Sequence, residues 1–154
     1  MGQNKAQSSL EYLLVVALTF AIIVPTAYLL YSYSKESTQE IKDSQITQIG
    51  KTIIDTAEVI FYSGEGSKAE IEVDIPDNIN KAEIIDGREL VFNVITDFGN
   101  SDIVFFSSPS VKITPASCSS AAGEIAELKN SGLKRLKISS IREGDENCIR
   151  IKTI

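Results

Sequence analysis

The chain has 154 residues, of which 43% are hydrophobic and 23% charged, with a formal net charge of −6 and no histidine; this length suits one folded domain plus an appendage. An acidic chain without basic runs is a poor match for nucleic acid, whose binding relies on Lys and Arg to displace counterions. The lack of His removes the commonest general base and zinc ligand, and no phosphate loop, nucleophile elbow or metalloprotease motif is present, so the residues recommend neither an enzyme nor a cofactor or metal site.

The charges are unevenly placed. Apart from Lys5 and Glu11, every charged residue lies at Lys35 or beyond, and Leu13–Ser34 carries none. As a helix, the apolar run Leu13–Tyr31 would span about 28 Å, close to the hydrocarbon thickness of a bilayer. Tyr28, Tyr31 and Tyr33 stand at its far end, as an interfacial aromatic belt would. Lys5 and the initiator amine precede the span, which favours a cytoplasmic N-terminus. Pro25 lies inside it and deletes one helix hydrogen bond, which predicts a kink or a loosened turn.

Directly before the span stands Lys5-Ala6-Gln7-Ser8-Ser9-Leu10-Glu11-Tyr12. The pattern Gln7-x-Ser9-x-Glu11-Tyr12, abutting an apolar helix, closely resembles the class III signal peptide of archaeal type IV pilin-like proteins. The resemblance covers about the first 35 residues; beyond them it rests on architecture. It implies that a prepilin peptidase cuts between Ala6 and Gln7, removing residues 1–6 and keeping 7–34 as a transmembrane and assembly helix. It also implies that Glu11 neutralises the new α-amine of Gln7 on a neighbouring subunit, and that Pro25 accompanies a bend in the filament. From the residues alone, Glu11 can equally sit in the headgroup region, favoured by the helix dipole.

Residues 35–63 read as an amphipathic continuation of the helix. Ile41, Gln45, Ile49, Ile53, Ala57 and Ile60 form a mainly apolar stripe at spacings of three and four. Ser63-Gly64-Glu65-Gly66 is a stop signal, so one helix from about Ser8 to Tyr62, on the order of 80 Å long, is expected.

The period then changes from 3.6 to 2. Lys68–Ile75 alternates apolar and charged residues, as a half-buried strand does, with Glu70, Glu72 and Asp74 on a solvated face that discourages edge aggregation. Pro76-Asp77-Asn78 turns the chain. Further strands are predicted over Lys81–Ile85, Leu90–Ile95, Ile103–Phe106 and Val111–Thr114, with turns at Asp86-Gly87 and Asp97–Ser101. Residues Ala121–Asn130 read either as a short helix or as a loop with strand. Leu133–Ile141 and Cys148–Thr153 make a terminal hairpin. Phe92, Phe98, Phe105 and Phe106 are expected in the core. Residues 67–154 are therefore expected to form an antiparallel β-sandwich head, making the whole chain α+β.

Two features of the head could carry chemistry. Glu143-Gly144-Asp145-Glu146-Asn147 offers oxygen ligands but lacks the spacing of a calcium loop, and reads as an acidic hairpin turn. Cys118 and Cys148 fit no metal or redox motif. They form either two free thiols or, if the head folds in an oxidising space, a bridge pinning a Ser-rich loop to the terminal hairpin. There is no Asn-x-Ser/Thr sequon.

The resemblance implies a pilin: a subunit that enters a surface filament as a homo-oligomer, with its helices bundled inside and its heads outside, serving adhesion. It further implies the membrane, a prepilin peptidase, an assembly ATPase and a membrane platform protein as partners. The alternative is a non-polymerising, membrane-anchored extracellular binding module.

Overall fold

The computed structural model describes residues 3–96, 99–120 and 122–154, with side chains from Leu10 onward. Asp97, where the turn expected over Asp97–Ser101 begins, and Phe98, expected in the core, therefore lie outside the described residues, while Gly99–Ser101 are strand and not turn, paired with Val94–Thr96. The chain divides into two compact units, Met1–Glu40 and Ile41–Ile154. One helix, α1 (Gln3–Tyr62), supplies all the structure of the first unit and the opening element of the second.

In the first unit α1 is assigned as one continuous helix through Pro25. Its three threonine hydroxyls bond back to the helix, Thr19 Oγ1 to Val15 O at 2.7 Å, Thr26 Oγ1 to Ile22 O at 2.8 Å and Thr38 Oγ1 to Ser34 O at 2.9 Å. Such back-bonding leaves no hydroxyl hydrogen unsatisfied in an apolar surrounding. From Leu10 to Glu36 every side chain is exposed except the half-buried Val16. Lys35 Nζ lies 5.2 Å from the centroid of the Tyr31 ring, one helical turn back.

In the second unit the helix is amphipathic. Ile46, Ile49, Ile53, Ile54, Ala57 and Ile60 are buried. The stripe is rotated from the expected one, since Ile41 and Gln45 are exposed while Ile46 and Gly50 are buried. Gly50 explains part of the rotation: a side-chain carbon there would overlap the Phe105 ring. That ring packs edge-on against Phe92 with centroids 6.0 Å apart. The helix stops at Ser63, whose N–H and hydroxyl both bond to Val59 O, and Gly64 follows with φ 96°.

Eight strands follow: β1 (Lys68–Ile75), β2 (Ile79–Ile85), β3 (Glu89–Thr96), β4 (Gly99–Phe106), β5 (Ile113–Thr114), β6 (Gly123–Glu124), β7 (Gly132–Glu143) and β8 (Glu146–Thr153). They build two four-stranded sheets, ordered β1-β7-β8-β5 and β4-β3-β2-β6. All pairings are antiparallel except β5 with β8, which is parallel and corrects the all-antiparallel expectation. Of the segment Ala121–Asn130, Ala121 lies outside the described residues and the rest combines both readings, since β6 is followed by a 3₁₀ turn, Ala126–Lys129. Asp86 and Gly87 both take positive φ, 52° and 66°, and Arg88 N–H bonds to Ile85 O. A two-residue turn of the I′ kind requires that geometry.

One hydrophobic core joins the helix stripe to both sheets, with Val73, Ile84, Phe92, Leu136, Ile138 and Ile151 among its members. Phe106 is 67% exposed, against expectation. Adjacent strand residues face opposite ways, so once Phe105 points at the helix Phe106 must point out. The chain is thus α+β: a long helix, apolar at its N-terminal end, followed by antiparallel-rich sheets.

Candidate functional site

Two places carry the residues singled out in the sequence. The first is the N-terminal part of α1. Lys5, Ala6, Gln7 and Ser9 lie on the helix backbone, while their side chains fall outside the described residues. Gln7 and Glu11 are four residues apart and so share a helix face. Glu11 and Tyr12 are exposed, as are Pro25 and the apolar residues around it. A helix apolar on all sides cannot be satisfied by water and needs lipid or other helices around it. By length and composition α1 suffices to cross a membrane. Nothing in a single copy brings Gln7, Glu11 and Pro25 into one cluster, because they follow one another along a single rod.

The second place is the loop between β5 and β6. Cys118 and Cys148 form a disulfide with Cα atoms 5.7 Å apart. Both are buried, at 1% and 0% exposure. The bridge pins this loop to the start of β8, on the sheet face opposite the buried Ile149 and Ile151.

Polar groups around the loop reinforce the staple: Glu143, already noted in the acidic turn, and two that the sequence reading did not single out, Arg150 and Thr114. Glu143 accepts the Cys118 N–H at 3.0 Å through one oxygen and faces the Arg150 guanidinium at 3.4 Å through the other. Arg150 Nε donates to Ala116 O at 2.6 Å. The fully buried Thr114 hydroxyl lies 2.8 and 3.1 Å from the carbonyls of Ser117 and Ser120 and accepts the Ala116 N–H. A buried loop must satisfy its backbone polar groups internally. The signals were a Thr next to Pro115 and an Arg between two isoleucines of a strand, both too common to be read alone.

The acidic turn is used in the same structural way. Glu143 pairs with Arg150, Asp145 with Arg142 at 3.5 Å, and Glu146 with Lys112 at 2.8 Å. The carboxylates thus turn to separate cations rather than to a common point. Among the described residues no group of three or more His, Cys, Asp or Glu side chains converges as metal ligands.

Two further ion pairs set local charge. A hydrogen bond from Lys42, reinforced by its positive charge, holds the Asp77 carboxyl below the usual carboxylate range. The Glu83 carboxylate beside Lys81 raises that ammonium above its ordinary value. Both lie at the surface, where such pairs contribute little to stability.

Beside the stapled loop lies an open cleft of about 750 Å³, with Pro115 and Ala116 on one wall, Glu124 and Glu127 on another, and Lys152 and Thr153 at the edge of β8. Comparison of the chain with protein-family models, curated proteins and solved structures finds no match.

Proposed function

We propose that this chain is a structural subunit of an archaeal type IV pilus-like surface filament, not an enzyme. The observation carrying this reading is the charge-free, exposed helix beginning directly after Gln7-x-Ser9-x-Glu11-Tyr12 and leading into a disulfide-stapled β-head. Each part makes a separate demand. An all-apolar exposed helix demands lipid or a bundle. A buried disulfide suits folding in an oxidising space outside the cytosol.

In this reading a prepilin peptidase removes residues 1–6 while the helix lies in the membrane, N-terminus inward and head outward. An assembly ATPase and a platform protein then transfer the helix from lipid into a helical bundle. Transfer is feasible because neighbouring helices replace the lipid contacts. Glu11 meets the α-amine of Gln7 in the adjacent subunit, so each charge is neutralised as it leaves water. The heads form the filament surface and serve adhesion.

The test is to map the N-terminus of protein taken from its native membrane and to label surface fibres with an antibody to the head. The expected result is a terminus at Gln7 and labelled fibres. Chains that keep Met1–Ala6, with no labelled fibres, would instead identify the non-polymerising anchored binding module.

A further inference from the structure

The sheet β1-β7-β8-β5 is incomplete along β8. Ile149 N–H donates to Lys112 O, on the β5 side, at 2.7 Å. Residues two apart along a strand direct their backbone groups to the same side, so Ile151 and Thr153 also face that side. The β5 pairing ends at Thr114 opposite Arg150, and Pro115, which has no N–H to donate, ends the strand. Beyond that point no strand pairs with this side of β8 among the described residues. The open stretch borders the 750 Å³ cleft, and the Thr153 hydroxyl beside it is buried without a partner.

The charges on this stretch are also incomplete. Lys152 lies directly opposite Lys137 of β7, and like charges facing each other across strands are unfavourable. On its other side Lys137 faces Glu70 of β1, and Arg135 faces Glu72. Lys152 takes part in none of the ion pairs formed among the described residues. An acidic strand on the vacant side of β8 would continue the alternation of charge across the sheet.

The chain contains such a strand. β1 is the edge on the far side of this same sheet, and it carries Glu70, Glu72 and Asp74 on its exposed face. Two copies of β1 would repel each other if they paired, whereas β1 against the open stretch of β8 sets acids beside Lys152. A contact between two different edges of one sheet is head-to-tail, and such contacts propagate into open assemblies instead of closing as dimers.

We propose that the open edge of β8 receives the β1 edge of a second copy of this chain, joining neighbouring heads into a continued sheet. This rests on the filament reading above and specifies its head-to-head contact.

The test uses native filaments treated with a carbodiimide, which joins a carboxylate directly to an amine. Covalent dimers separated on a denaturing gel should contain Glu70 or Glu72 joined to Lys152. Thr153→Pro removes an N–H that no described residue of the same head uses, so it should lose this dimer while head melting is unchanged. Lys152→Gln, a single surface change, should lose it as well and serves if the proline variant misfolds. Filaments whose dimers lack Lys152 joined to Glu70 or Glu72, or dimers unaffected by folded Thr153→Pro, would overturn the contact and leave the filament reading standing. Absence of filaments from the unaltered protein would overturn both.

Discussion

The two halves of α1 obey different rules. From Leu13 to Ser34 the helix carries no charge, is mainly apolar all round and is exposed apart from the half-buried Val16. From Ile46 to Ile60 it is apolar on one stripe, and that stripe is consumed by both sheets of the head. A stripe can be satisfied within one molecule, whereas an all-round apolar surface requires a surrounding medium. Changes in the first half should therefore act on assembly and leave head stability alone. Changes in the second half should do the reverse.

The largest effect is expected at Glu11. In processed subunits Glu11→Gln leaves the Gln7 amine of a neighbour without its counter-charge, and breaking a buried ion pair costs about 3–5 kcal/mol. The loss recurs at every subunit contact, so filament yield should collapse while membrane insertion and head melting persist. The processed fraction must be measured alongside, because Glu11 lies within the peptidase motif. Normal filaments from processed Glu11→Gln protein would remove Glu11 as an assembly determinant.

Next comes the staple. Replacing Cys118 and Cys148 by Ser opens a bridge between residues 30 apart in sequence, worth about 3–4 kcal/mol in the chain-entropy model. Head melting should fall markedly, and reducing agent should reproduce the fall in the unaltered protein once the buried bridge is reached. Membrane insertion should not change. A melting curve indifferent to both treatments would show that the polar contacts of Glu143, Arg150 and Thr114 suffice to hold the loop.

A matched pair then compares the two halves directly. Ile53→Val removes one methylene from the core and should cost the head about 0.5–1.5 kcal/mol. Ile22→Val, a chemically identical change on the exposed span, should leave head melting unaltered. Equal effects on head melting would break the distinction between the two halves.

The smallest effect is expected at Asp77. Lys42 holds its carboxyl below the ordinary range. The pair's contribution is therefore present above the unfolded carboxylate pKa, about 3.9, and is lost as pH falls through the lower folded value. Asp77→Asn should slightly lower head stability near neutrality, where the pair is formed, flatten the acid limb, and make no difference once pH falls below the folded value; the effect is small because the pair lies at the surface. A steeper acid limb in the variant would reverse the assigned sign.

Much of the head was legible because its signals are local. The alternation in Lys68–Ile75 marks β1 to the residue, β3 and β7 extend their predicted spans by one or two residues at each end, and β8 does so at its start alone. The stripe on the second half of α1 was misplaced because Ile41 and Ile46 are equally apolar, and only the Phe105 ring selects the face containing Gly50. The parallel β5–β8 pairing was out of reach because β5 is two residues long and contributes no period. Of the candidate residues, the two cysteines found each other and Glu143 of the acidic turn holds the stapled loop, while Arg150 and Thr114 went unremarked because single polar residues carry no pattern.

By itself the sequence determined a helix with one wholly apolar half, the change to strands after Ser63, the alternation that makes one face of β1 acidic, and two cysteines free to bridge. These are periodicities and compositions, and they act between residues a few positions apart. Only the tertiary structure decided which face of the helix enters the core, that Phe105 turns in and Phe106 out, and that β8 is left partly unpaired where Pro115 ends β5. Those outcomes depend on volumes and hydrogen-bond partners brought together from distant parts of the chain, and no local pattern encodes them.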